Sequence, residues 1–269
     1  MNAEIPILGL GTYGRTGSKG TNDILEAISV GYRHLDTAQT YNTESTVGDA
    51  VRRSGVAREK FFITSKVADY NLEKSKFLPS VELSLDTIGL GAVDLLLIHW
   101  PSPGEAVPLE HYLEALAVAQ QRGFARLIGV SNFTISLMER AVAMLGKGTI
   151  ATNQVEIHPY LQAPKLCLHA KSLAIQLTAY QPLAQGRVST DLVLNAIAKK
   201  HNTTASAIAL AFLMSEGHIV IPASSKVEHL VDNFSATSVH LLPVDIAEIQ
   251  TLERALRVIN PTMSPKWDD

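Results

Sequence analysis

The sequence predicts an α/β fold, a single (β/α)8 barrel domain over residues 1–269, on three observations. Short segments rich in Val, Ile, Leu and Thr, eight in all, alternate with segments of helical period from one end of the chain to the other. Val93-Asp94-Leu95-Leu96-Leu97-Ile98 is almost continuously apolar, as a parallel strand must be when helices cover one face and a core fills the other. No stretch of Pro, Gly and Ser is long enough to act as a linker, and barrels of this type run to about 250 residues, so 269 residues need not be divided in two.

The elements follow in order. The expected strands are residues 7–12, 34–38, 61–67, 93–100, 126–131, 151–157, 175–180 and 219–222. The amphipathic segments between them are 22–30, 44–54, 72–88, 109–121, 135–145, 165–173 and 191–200, each able to cover one strand. Two further helices, at 205–214 before the last strand and at 244–255 near the C-terminus, exceed the eightfold minimum. After the last strand, Ser225 and Glu228 fit the S-x-x-E capping box and predict another helix start.

Composition narrows the function classes. With 23 Lys plus Arg against 26 Asp plus Glu, a formal net charge of −3 and no basic run, nothing points to a nucleic-acid partner. The apolar runs are far shorter than the roughly 20 residues that span a bilayer, so no membrane partner is expected. One cysteine, Cys167, cannot form an internal disulfide, and the first residues lack the basic start and apolar stretch of a secretory signal; the expected compartment is the reducing cytoplasm.

Gly9-Leu10-Gly11-Thr12-Tyr13-Gly14 is a literal G-x-G-x-x-G, with Asp36 at about the distance of a ribose-binding acid. That fingerprint works only where the glycines open directly into a helix whose N-terminus meets a pyrophosphate. Here the helical period starts near Thr21 or Asn22, and eight strands exceed the six of one doubly wound domain. The glycines are therefore expected to let a strand end approach a ligand closely.

In a (β/α)8 barrel the reactive groups sit where strands run into βα loops. The second strand leads from Asp36 to Tyr41, the third ends at Lys66, and the fourth at His99-Trp100-Pro101. Neighbouring parallel strands lie about 4.8 Å apart, so these side chains can share a pocket. A tyrosine hydroxyl with a pKa of about 10 is a poor acid at neutral pH. The Lys66 ammonium is expected to lower it, Asp36 to hold that ammonium, and His99 to orient a carbonyl oxygen. Metal-ligand spacings such as H-E-x-x-H are missing, and Gly129-Val130-Ser131-Asn132-Phe133 departs from the hydrolase G-x-S-x-G, so carbonyl reduction needs an organic hydride donor. Ser131, Asn132 and Gln154 on strands five and six can clamp a carboxamide, and Tyr180, followed by Gln181 and Leu183, can stack on a flat ring. Ser224, Ser225 and Lys226 after the last strand, with Asn233 in the helix behind them, make a candidate anion site.

Taken together, Gly9-Leu10-Gly11-Thr12, Gly31-Tyr32-Arg33-His34-Leu35-Asp36-Thr37-Ala38 running to Tyr41, Lys66, Ile98-His99-Trp100-Pro101, Gly129-Val130-Ser131-Asn132-Phe133, Asn153-Gln154 and Ile221-Pro222 resemble the aldo-keto reductases over nearly the whole chain, and in particular that family's short bacterial members. The resemblance implies a TIM barrel holding NADPH across its C-terminal face and reducing small polar aldehydes and ketones, 2-oxoaldehydes such as methylglyoxal and keto sugar acids among them. It implies Tyr41 as proton donor beside Asp36, Lys66 and His99. Gly11 and Thr12 would lie near the nicotinamide and its ribose, Ser131, Asn132 and Gln154 at its carboxamide, and Tyr180 under its ring. Tyr13, Trp100 and Trp267 would border the substrate, no metal would take part, and a monomer is the family's common form. Where many relatives carry a lysine and an arginine around the adenosine 2′-phosphate, this chain has Ala223 and His229, which makes NADH an expected second cofactor. Two other readings use the same residues: a Schiff-base lyase or aldolase with Lys66 as nucleophile, and a nicotinamide-binding regulatory subunit. The first leaves Tyr41 and the residues of strands five to eight without a joint purpose.

Overall fold

The computed structural model describes residues 5–268. Eight parallel strands pair in sequence order: β1 (Gly9–Gly11), β2 (His34–Asp36), β3 (Phe62–Val67), β4 (Val93–Ile98), β5 (Ala125–Ser131), β6 (Ile150–Glu156), β7 (Gln176–Tyr180) and β8 (Ile219–Val220). A parallel bridge between Leu8 and Val220, with the Val220 amide donating to the Ile7 carbonyl at 2.9 Å, brings β8 back to β1. The fold is the expected TIM barrel. Its seam is shorter than expected because β8 ends before Ile221-Pro222. Pro222 has no amide to add to the ladder, and its carbonyl instead accepts from the Gly11 amide at 3.0 Å.

Around the barrel lie α1 (Gly17–Val30), α2 (Glu44–Arg53), α3 (Lys74–Ile88), α4 (Leu109–Gln121), α5 (Ile135–Leu145), α6 (Pro164–Ser172), α7 (Leu192–Lys200), α8 (Ala205–Ser215), α9 (Val227–Ser235) and α10 (Pro243–Gln250). The helix before β8 and the C-terminal helix are both present, as α8 and α10. Among the described residues none is long and apolar enough to cross a membrane.

Several helix ends shift by one or two residues from expectation, and three differ for reasons the structure shows. α1 starts at Gly17, not near Thr21. The segment that reads as a loop is its first turn, and Gly20 fits there because a Cβ would lie 2.2 Å from the Arg15 backbone. The helix therefore follows the glycines sooner than expected, and strand order, not a late helix, excludes the doubly wound fold. α9 starts at Val227 with Lys226 as its N-cap and no side-chain cap; the Ser225–Glu228 box does not form, and the Lys226 amide donates instead to Ser224 Oγ at 3.1 Å. α10 stops at Gln250 rather than 255, because the next residues are drawn onto the barrel, where the Arg254 and Leu256 amides donate to the Tyr160 carbonyl at 3.3 and 3.0 Å.

Alternation along the strands sorts the side chains. Ile63, Leu96, Ile98, Val130, Val155 and Ala179 point outward into the apolar layer under the helices. Ile5, Phe62, Leu95, Leu97 and Ile219 fill the interior toward the N-terminal end. Above them the interior turns polar, with His34 Nε2 3.0 Å from Thr64 Oγ1 and Thr152 Oγ1 2.8 Å from Thr178 Oγ1. Gly9 is a packing requirement of this layer, since a Cβ there would lie 2.7 Å from the His34 ring. The same alternation carries Asp36, Lys66, Gln154 and Glu156 to the C-terminal end, where the loops begin.

Candidate active site

Lys66 lies inside the barrel with no solvent exposure. Its ammonium makes a short contact to the Asp36 carboxylate, donates to the Thr37 carbonyl at 2.9 Å, and reaches the Tyr41 hydroxyl at 3.5 Å. The other Asp36 oxygen accepts from Gln154 Nε2 at 2.8 Å. Tyr41 stands in a 3-10 turn, Gln39–Tyr41, directly after β2. The turn is fixed by Gln39, whose Oε1 accepts from the Ala68 amide and from Asn71 Nδ2, both at 2.9 Å, while its Nε2 donates to Ser80 and Ser84. The loop carrying Tyr41 is thus clamped onto the loop that follows Lys66. His99, at the end of β4, places Nε2 3.3 Å from the Tyr41 hydroxyl and Nδ1 3.3 Å from Thr40 Oγ1.

Burial dominates the electrostatics. It would lower Lys66, but Asp36 and then Tyr41 outweigh it and leave the ammonium above its ordinary range. It pushes the Tyr41 phenol up, and Lys66 offsets only part of that push. The expectation that Lys66 brings Tyr41 below its ordinary value is therefore corrected: desolvation wins, and the phenol holds its proton. Burial first and Lys66 second lower His99 to about 3, so its imidazole is neutral.

These groups open onto a cleft of about 790 Å³ across the C-terminal face. Of the residues singled out from the sequence, Gly11, Tyr13, Asp36, Tyr41, His99, Trp100, Ser131, Asn132, Gln154, Tyr180, Gln181, Leu183, Ser224, His229 and Asn233 line it. Asn132 and Gln181, where β5 and β7 run out, have left-handed φ of 61° and 51°, which turns the chain sharply away from the barrel. Tyr180 donates to Asn132 Oδ1 at 2.8 Å, Asn132 Nδ2 donates to the His99 carbonyl at 3.0 Å, and Ser131 Oγ donates to the Gln154 carbonyl at 2.7 Å. The cleft wall is therefore cross-linked from β4 to β7.

Five residues singled out from the sequence do not line the cleft. Lys66 stands behind Tyr41. Thr12 is fully buried and bonds to the Asp36 carbonyl and to Thr43 Oγ1. Ser225 and Lys226 are exposed beside the start of α9. Trp267 lies edge-on to Trp100, ring centres 6.1 Å apart, beneath the Arg257 guanidinium at 3.9 Å. Sequence reasoning missed Gln39 and Thr40, which position the central group, and Ser189, Ser206, Asp232, Ile259 and Pro261 in the cleft lining. The last two come from the segment after α10.

Residues 7–254 match the profile of the Aldo/keto reductase family. The chain belongs to this family. It is 43% identical over 265 residues to methylglyoxal reductase DkgB of Salmonella typhimurium, covering 98% of this chain and 99% of that one. A solved structure described as a candidate 2,5-diketo-D-gluconic acid reductase B superposes with a TM-score of 0.94 at 38% identity, covering 98% of this chain and 94% of the other. An aldo-keto reductase of Bombyx mori in complex with NADP gives a TM-score of 0.87 at 30% identity over 95% of this chain and 92% of that one. As a member of this family the chain is an oxidoreductase.

Proposed function

We propose that this chain reduces small polar aldehydes and ketones to alcohols, with hydride from NADPH and the proton from Tyr41. The observation that carries the reading is the placement of the Tyr41 hydroxyl in the cleft, 3.3 Å from His99 Nε2 and 3.5 Å from Lys66 Nζ.

The cleft suits an extended dinucleotide. It runs from Tyr41 and His99 past Ser131, Asn132 and Tyr180 to Ser224, His229 and Asn233 near the start of α9. Gly11 presents bare backbone to it, and a Cβ there would lie 3.1 Å from the Ile221 carbonyl. The solved relative in complex with NADP supports the same choice. Bound in the cleft, the reduced nicotinamide supplies the hydride. Tyr180 would hold its ring, and Ser131, Asn132 and Gln154 its carboxamide end.

The chain's own groups handle the oxygen and the proton. Thr40 Oγ1 donating to His99 Nδ1 leaves the ring hydrogen on Nε2, which then donates to the substrate oxygen and aims it at Tyr41. The phenol, protonated at neutral pH, gives up its proton as negative charge grows on that oxygen. The ammonium of Lys66, kept charged by Asp36, stabilises the phenolate left behind. Because this ammonium already holds three partners and is fully buried, Lys66 is badly placed to act as the nucleophile of a Schiff-base lyase.

Among the described residues no Lys or Arg lines the cleft. A substrate carboxylate would be desolvated there without a cation, which favours an uncharged 2-oxoaldehyde such as methylglyoxal over a keto sugar acid. Ala223 and His229 leave the adenosine end with weaker phosphate contacts than a lysine and an arginine would make. NADPH is the proposed cofactor and NADH the second. Loss of reduced-nicotinamide absorbance with a panel of carbonyls tests both points through kcat/KM. The reading expects turnover of 2-oxoaldehydes and a higher kcat/KM with NADPH. Covalent trapping of substrate by borohydride, or a strong preference for NADH, would overturn it.

A further inference from the structure

We propose that Glu156 is a positioning residue that latches the C-terminal segment, residues 251–268, against the substrate end of the cleft. Glu156 ends β6 opposite Tyr180 and is 1% exposed. Its carboxylate accepts two consecutive main-chain donors from that segment, Val258 N at 2.6 Å and Ile259 N at 2.8 Å. A third donor comes from within the strand's own continuation. The Tyr160 amide donates to His158 Nδ1 at 3.2 Å, so the ring hydrogen sits on Nε2 and is given to Glu156 Oε1 at 3.0 Å.

The segment has no helix or strand of its own to hold it after α10. Its start is tied to the Tyr160 carbonyl through the Arg254 and Leu256 amides, and its end by Asp268, whose Oδ2 accepts at 2.8 Å from the amide of Ile135, the first residue of α5. Between Glu156 and that end, Ile259 and Pro261 line the cleft and Trp267 packs against Trp100, which also lines it. A buried carboxylate that must satisfy its oxygens therefore does so by fixing the backbone of a cleft wall. Asp36, Tyr41, Lys66 and His99 stand on β2 to β4 and their loops, so the latch bears on the shape of the carbonyl site and not on the reacting groups.

The latch rests on the carbonyl-reductase reading only for its kinetic arm. Glu156→Gln removes the charge and one acceptor at nearly constant volume. Val258→Pro removes a donor from the segment, leaves β6 untouched, and carries the test if the first variant fails to fold. Amide exchange is measured by mass spectrometry on the full chain, together with KM for methylglyoxal, kcat, and the NADPH Kd by fluorescence. Exchange at Ile259 should quicken in both variants, and KM should rise on the order of tenfold, as the loss of one charge-assisted hydrogen bond implies, with kcat and Kd within about twofold. Unchanged protection at Ile259, or a loss of NADPH affinity in proportion to the rise in KM, overturns the latch. Faster exchange in a protein whose native form turns over no carbonyl leaves the latch standing and removes the proposed function instead.

Discussion

Burial keeps the His99 imidazole neutral, and this has a stability consequence whose sign is fixed. Its folded pKa lies at about 3, against an ordinary value near 6.5 in the unfolded chain. Between those values the unfolded chain binds a proton that the folded chain refuses, so the contribution is complete above pH 6.5 and is lost as pH falls toward 3. His218, lowered by burial to about 4, acts in the same direction. Thermal unfolding followed from pH 7 to pH 4 should show a falling Tm, with a shallower fall in His99→Gln; an identical slope in that variant would contradict the assignment. Residue types decided what was legible at this scale. Asp36, Lys66, Tyr41 and His99 are costly to bury and stand at consecutive strand ends, so the sequence exposes them. Gln39 and Thr40 are ordinary polar residues in a loop and Glu156 ends a strand without a matching cation beside it in sequence; only the fold shows that the first clamps a turn, the second meets the His99 ring and the third holds a distant segment.

Helix ends were less legible than helix bodies, because a cap depends on the backbone around it as well as on residue type. Asp191 accepts from the Val193 and Leu194 amides at 3.0 Å and caps α7, where the sequence also starts a helix. Ser225 has the same kind of signature and caps nothing, because the chain bends at Ser225 and Lys226, whose amide donates to Ser224 Oγ, and α9 starts at Val227. Asp191→Ala should therefore destabilise the fold by about 1 kcal/mol, seen as a lower denaturation midpoint at unchanged slope, while Ser225→Ala should change the midpoint little. Equal effects of the two substitutions would show that the caps are misassigned. At the other end, α10 gives way five residues early because the Tyr160 carbonyl and Glu156 compete for the following backbone, a tertiary effect that periodicity cannot carry.

For the whole molecule, alternation of eight apolar strands with helices was enough to specify the barrel, since parallel strands joined by helices bury both faces in few other ways. How the barrel closes was not legible, because the seam rests on three residues of β1 and two of β8. That seam should be its weakest line: native-state hydrogen exchange is expected to open the Gly11 and Val220 amides at lower free energy than those in β3 to β6. Uniform protection around the barrel would contradict this. The barrel's purpose, in this account, is to hold a protonated phenol between a neutral imidazole and a buried ammonium where a carbonyl oxygen arrives. Tyr41→Phe tests that most directly, with the reduction rate and NADPH binding measured on the same preparation. The rate should fall by about 10²–10⁴-fold with cofactor affinity unchanged. A variant that reduces methylglyoxal as fast as the native enzyme would contradict it.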